Sequence, residues 1–119
     1  MVDRRLTELR AICAAMPGCS EGITVHHPSF TIRGKAFVMV TDGGDDPALW
    51  VKSDRGTQAE LVAADPQRFF VPPYVGHHGW VGVRAGADTD WAEVAEIVTD
   101  AYRLAAPKRL LAEFDAGRG

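Results

Sequence analysis

The sequence predicts an α+β protein in which an antiparallel sheet carries helices on one face. Three observations lead there. Trp91, Val94, Ile97, Val98, Ala101, Tyr102 and Ala105 fall on one side of a helix, behind an Asp90 placed to cap it. Ser29 to Thr41 is rich in β-branched and aromatic residues and is broken at Gly34-Lys35, as in a hairpin or a bulged strand pair. The elements run helix, strands, short helix, strand, long helix. That order keeps most strands together, which suits antiparallel pairing with one face covered and the other facing solvent or a partner.

Each element has a local reason. Leu6, Leu9, Ile12, Cys13 and Met16 recur at helical spacing, so residues 3 to 15 read as an amphipathic helix with Asp3 as its N-cap. Pro17-Gly18 ends it, because proline lacks an amide donor and glycine tolerates positive φ. Ser20 to Pro28 reads as irregular chain or a short edge strand. Asp42-Gly43-Gly44-Asp45-Asp46-Pro47 is a polar turn, and Ala48 to Ser53 a strand. Thr57 to Ala64 has a short helical pattern, stopped at Asp65-Pro66. Phe69 to Val83 is an aromatic loop stiffened by Pro72-Pro73 that runs into a strand over Gly79 to Arg84. Asp90 and Glu93 form a capping box in which Glu93 reaches back to the first amide. Lys108 to Phe114, beyond Pro107, forms a last short helix.

The 119 residues suit one domain spanning the whole chain. A hydrophobic content of 46% with 24% charged residues is that of an ordinary water-soluble fold. No run approaches the ~18 apolar residues of a membrane span. Met1 to Arg5 lacks an apolar signal segment, so the expected location is cytoplasmic, with no membrane partner. Cys13 and Cys19 are expected to be reduced thiols there, and their spacing matches no common zinc motif. A net charge of −3 argues mildly against a dedicated nucleic-acid binder. It does not fix where the positive charges lie.

Strand alternation places candidate residues on faces. If Ile32, Val38 and Val40 face the helices, Phe37 and Met39 point outward; the break at Gly34 leaves the phase of Arg33 and Lys35 open. Leu49, Val51, Val81 and Val83 then face in, and Trp50, Lys52, Trp80, Gly82 and Arg84 face out. Such a face sets aromatics among cations, which suits stacked bases beside phosphates and equally a protein partner. Packing of both tryptophans in a groove under the Pro-Pro loop is the alternative. The pairs His26-His27 and His77-His78 read as solvated loop residues, since neighbours in a strand point oppositely and seldom share a metal. Asp42, Asp45 and Asp46 lack the spacing of a calcium loop. Neither Cys19 nor Ser20 has a base fixed beside it, and no glycine-rich phosphate loop occurs. Arg103, Lys108 and Arg109 complement a helix C-terminus and extend a basic patch.

Several of these segments, in order, carry a family likeness. They are Met16-Pro17-Gly18, Ile32 to Phe37, Leu49-Trp50-Val51-Lys52, the Pro-Pro-Tyr to Gly-Trp-Val stretch, and Asp100 to Leu104 with Pro107-Lys108-Arg109. Together the set resembles the MmcQ/YjbR family over nearly the whole chain. The resemblance implies a frataxin-like (CyaY-like) α/β sandwich and a DNA-binding label drawn from a double-wing surface. It implies no catalytic motif, and His77-His78 inherit no role. The expectation is therefore an uncharacterised binding module, not an enzyme, without cofactor or metal. It contacts nucleic acid through Arg33, Lys35, Trp50, Lys52, Trp80 and Arg84. A protein partner on the same face is the alternative, and the oligomeric state is left open.

Overall fold

The computed structural model describes residues 3–41 and 47–118. The polar turn expected at Asp42 to Asp46 lies outside the described residues. The elements are α1 (Arg4–Cys13), β1 (Cys19–Thr24), β2 (His27–Ile32), β3 (Lys35–Thr41), β4 (Ala48–Val51), α2 (Arg55–Ala64), β5 (Phe69–Phe70), β6 (Val81–Arg84), α3 (Trp91–Ala105) and α4 (Lys108–Arg118). The sheet order is β1-β2-β3-β4-β6-β5, and every neighbouring pair is antiparallel. The stretch Ser20 to Pro28 therefore supplies an edge strand and a turn. No helix among the described residues is long and apolar enough to cross a membrane.

The helix starts follow the chain's aspartates. Asp3 accepts from the Arg5 amide at 2.9 Å, Asp54 from Thr57 at 2.8 Å, and Asp90 from Ala92 and Glu93 at 3.1 and 3.3 Å. Each satisfies amide donors that the first helical turn leaves without partners. Glu93 does not reach back as a capping box would have it. Its carboxylate takes a two-pronged ion pair from Arg68 at 2.8 and 3.1 Å, tying α3 to the segment before β5.

The sheet separates two apolar clusters. The larger lies between the sheet and the helices. It gathers Leu9 and Cys13 from α1, Val94, Val98 and Tyr102 from α3, and Leu110 and Phe114 from α4, against Ile32, Val40, Leu49, Val51, Val81 and Val83. The strand phases read from alternation hold at these positions. Phe37 is the exception. Phe30 pairs with Val38 but Thr31 pairs with Ala36, so Phe37 is an extra residue in β3. This bulge turns Phe37 to the same side as Val38, where it is fully buried and packs edge-on against Tyr102 at 6.2 Å. The outward assignment of Phe37 is thereby corrected. Met39 keeps its outward one.

Tyr102 is the hub of the larger cluster. Its hydroxyl donates to the Pro17 carbonyl at 2.6 Å, and its ring meets Phe114 edge-on at 5.1 Å. Burial pushes its phenol above the ordinary tyrosine value, which keeps the proton available for that bond.

Arg5 occupies an unexpected place. It sits in the buried face of α1, where its Nη1 donates to the carbonyls of Thr41 and Ala48 at 2.7 and 3.0 Å. Those carbonyls belong to the adjoining ends of β3 and β4. The rest of the guanidinium grips the Asp3 carboxylate at 2.8 and 3.1 Å. The hydrogen bond from Arg5 holds the Asp3 carboxyl below the usual range. That contribution is complete above the ordinary aspartate value of about 3.9 and is lost as pH falls through the lower folded value.

Replacing Arg5 by Met removes a side-chain donor from two buried strand-end carbonyls. Urea unfolding at neutral pH should show a loss of roughly 2–3 kcal/mol with an unchanged m value. The gap between wild type and variant should narrow only once the pH falls below the carboxylate range.

Candidate functional site

The smaller cluster forms the outer face of the sheet. Met39, Trp50 and Trp80 are its buried members, with Ala36, Phe70 and Val75 packed on them. Both tryptophans lie opposite the helices, as alternation requires, yet they are only 7% and 8% exposed. The expectation that they present themselves to a ligand is corrected: they pack beneath the proline-rich loop.

A strand too short to be legible causes this. Phe69 and Phe70 pair with Val83 and Gly82 as β5, which brings the chain after Phe70 back over the outer face. One cross-strand row runs Met39, Trp50, Gly82, Phe70. The Phe70 ring fills the space a side chain at position 82 would take, so that a Cβ there would overlap the ring. Arg84 stacks over Phe70 at 4.8 Å and donates to the Gln67 carbonyl at 3.0 Å. Its guanidinium holds β5 in place. Gln58 closes the other end of the loop, donating to the carbonyls of Gly76 and Trp80.

Three of the six expected binding residues do come together. Arg33, Lys35 and Lys52 line a groove of about 370 Å³ with Ile32, Leu104 and Pro107. The β2–β3 turn forms one side. Arg33 and Gly34 both adopt left-handed backbone there, with φ of 53° and 79°, the pairing of a tight hairpin turn. The α3–α4 corner forms the other side. No acidic side chain lines the groove, and none of the three cations has an ion-pair partner among the described residues. Two helix ends also meet at Pro107: the C-terminus of α3, about half a negative charge, and the N-terminus of α4, about half a positive one. They offset one another, so the side chains set the sign of the groove. Sequence reasoning placed the break at Pro107 and the helix after it, but not the packing of this corner beside Arg33, Lys35 and Lys52.

The other candidates separate. Arg103 pairs with Asp115 at 2.7 Å and lies over the Phe114 ring, joining α3 to α4. His27 packs near Trp50 with ring centroids 6.3 Å apart, while His77 and His78 lie on an exposed helical turn. Among the described residues no group of three or more His, Cys, Asp or Glu side chains is placed to hold a metal ion. Cys13 and Cys19 are free thiols. A hydrogen bond between them, with burial, raises Cys13, and the same bond lowers Cys19.

The fold and the groove together define an α+β sheet-and-helix protein with a cationic cleft beside the turn of its β2–β3 hairpin. The chain belongs to the YjbR family, whose family model matches residues 14–104. It is 33% identical over 67 residues to the uncharacterized protein Rv2570 of Mycobacterium tuberculosis and, to the same extent, to the uncharacterized protein Mb2600 of Mycobacterium bovis. The match covers 56% of this chain and 51% of each relative, so the chain spans about half the length of the curated relatives it matches. The Deinococcus radiodurans protein DR2400, with a DUF419 domain, superposes with a TM-score of 0.74 over 92% of this chain and 87% of its own. At 20% identity that likeness is one of fold.

The Phe70–Gly82 contact can be tested by a double mutant. Gly82→Ala alone should lower stability by roughly 2 kcal/mol, since the ring cannot move without uncovering Trp50. Phe70→Ala alone should also destabilise. Combined, the two changes should cost clearly less than their sum in chemical denaturation, the sign of a shared contact.

Proposed function

We propose that this protein is a nucleic-acid-binding module that holds the sugar-phosphate backbone in the groove of Arg33, Lys35 and Lys52. The observation that carries the reading is the convergence of three unpaired cations on one groove without an acidic neighbour. Such a site suits phosphates, because each ammonium or guanidinium that neutralises one releases condensed counterions. Trp50 and Trp80 lie under cover, so base stacking contributes little to this mode. Phosphate contacts carry no sequence information, and binding in this mode is indifferent to base sequence. The overall charge of −3 repels the rest of the polyanion and confines contact to the groove. A protein partner on the outer sheet face is less favoured, because the tryptophans that would serve as its anchors are already packed.

Fluorescence anisotropy with a labelled duplex tests the reading. Three phosphate contacts predict that log affinity falls with log salt at a slope of about −3. Lys35→Ala and Lys52→Ala should each reduce that slope by about 1, uniformly across sequences. Absence of binding at low salt, or slopes unmoved by these changes, contradicts the reading.

A further inference from the structure

A second concavity opens on the outer face, remote in character from the cationic groove. It holds about 320 Å³ and is lined by Thr24, Val25, His27, Met39, Trp50, Tyr74 and Val75. Met39 and Trp50 are buried and form its floor, while Val25 and Tyr74 are 75% and 84% exposed and form its rim. Among the described residues no Asp, Glu, Lys or Arg lines it. The Thr24 hydroxyl is already engaged with Ser29 Oγ at 2.9 Å, which leaves the His27 imidazole and the Tyr74 hydroxyl as its polar groups.

The backbone supplies an independent observation. Val25 and Tyr74 both line it, from the β1–β2 turn and the proline-rich loop, and both have left-handed backbone, with φ of 49° and 66°. His26, beside Val25, is left-handed too, at 69°. Asn and Gly adopt this conformation readily, whereas a β-branched or large side chain is strained there. Neither side chain recovers that strain by burial, since both stand mostly in water. An apolar side chain kept at a strained, exposed position in each of these segments points to use of the cavity they line.

We propose that this cavity binds a small, uncharged, planar aromatic molecule. The ligand lies on Met39 and Trp50, between Val25 and Tyr74. The volume falls at the small end of the range for small-molecule sites and is too small for a folded segment of a partner. The described lining carries no charge, which disfavours an ionic ligand, since it would lose its hydration without a counter-charge there. The thioether of Met39 and the rings of Trp50 and Tyr74 favour flat aromatic surface. His27 gives one hydrogen-bonding contact at the edge.

The test uses 2-naphthol, an uncharged two-ring probe, titrated into the 15N-labelled chain. The Trp50 indole N–H has no hydrogen-bond partner among the described residues and serves as reporter; that of Trp91, on α3, serves as control. The expected result is a saturable shift at Trp50 without one at Trp91, unchanged between low and high salt. Val25→Asn and Tyr74→Asn relieve the strained backbone, so both variants should fold at least as stably as wild type. Each should nonetheless weaken 2-naphthol binding about threefold to tenfold. A non-saturable response, equal shifts at Trp91, or unchanged affinity in both folded variants overturns the proposal. So does a dimer by sedimentation that either variant dissociates, since the cavity would then be a contact between copies. Salt independence separates this site from the phosphate groove, so either reading can fail without the other.

Discussion

The ring of Phe70 lying across Gly82 is the contact on which the outer half of the molecule depends. The helical side is closed by many residues from three helices. The outer apolar cluster has Met39, Trp50 and Trp80 as its buried members among the described residues. What covers them is the chain after β5, held there because β6 carries glycine where Phe70 must pass. Arg84 fastens Phe70 from above. One missing side chain therefore decides that the tryptophans pack inward instead of meeting a ligand. It also decides that Tyr74 stands at the rim of a cavity floored by Trp50.

The same contact divides the candidate site residues. Trp50, Trp80 and Arg84 belong to the structure that closes the outer face. Arg33, Lys35 and Lys52 lie at the β2–β3 turn and just past the end of β4, where they face the α3–α4 corner. Cations without partners in a protein of net charge −3 are notable for their location, because most of its other arginines are spent on structure. Arg5 binds strand carbonyls, Arg10 pairs with Glu21, Arg68 with Glu93, and Arg103 with Asp115.

Much of the fold is legible in the chain because its signals are local. Asp3 and Asp90 announce helices through amides two or three residues away, and Leu49, Val51, Val81 and Val83 announce a covered face through a period of two. Phe37 escaped that logic because a bulge adds one residue and shifts the phase without any mark in composition. β5 escaped because two residues are too few to show a period, although Gly82 opposite an aromatic is its trace. Arg5 looked like a polar residue of an amphipathic helix; its purpose depends on carbonyls of Thr41 and Ala48, more than thirty residues away. The groove was half legible. Its cations were singled out, but what gathers them is a hairpin turn meeting a helix corner, which is tertiary. Val25 and Tyr74 carried a faint signal: apolar side chains at turn positions where Asn or Gly is usual.

The central claim is that the outer face is closed over its tryptophans. Fluorescence of a Trp91→Phe variant, in which only Trp50 and Trp80 emit, tests it most directly. The account predicts blue-shifted emission and weak quenching by iodide, both lost together with the fold on unfolding. Emission at the wavelength of solvated tryptophan, with strong iodide quenching in the folded chain, would contradict it.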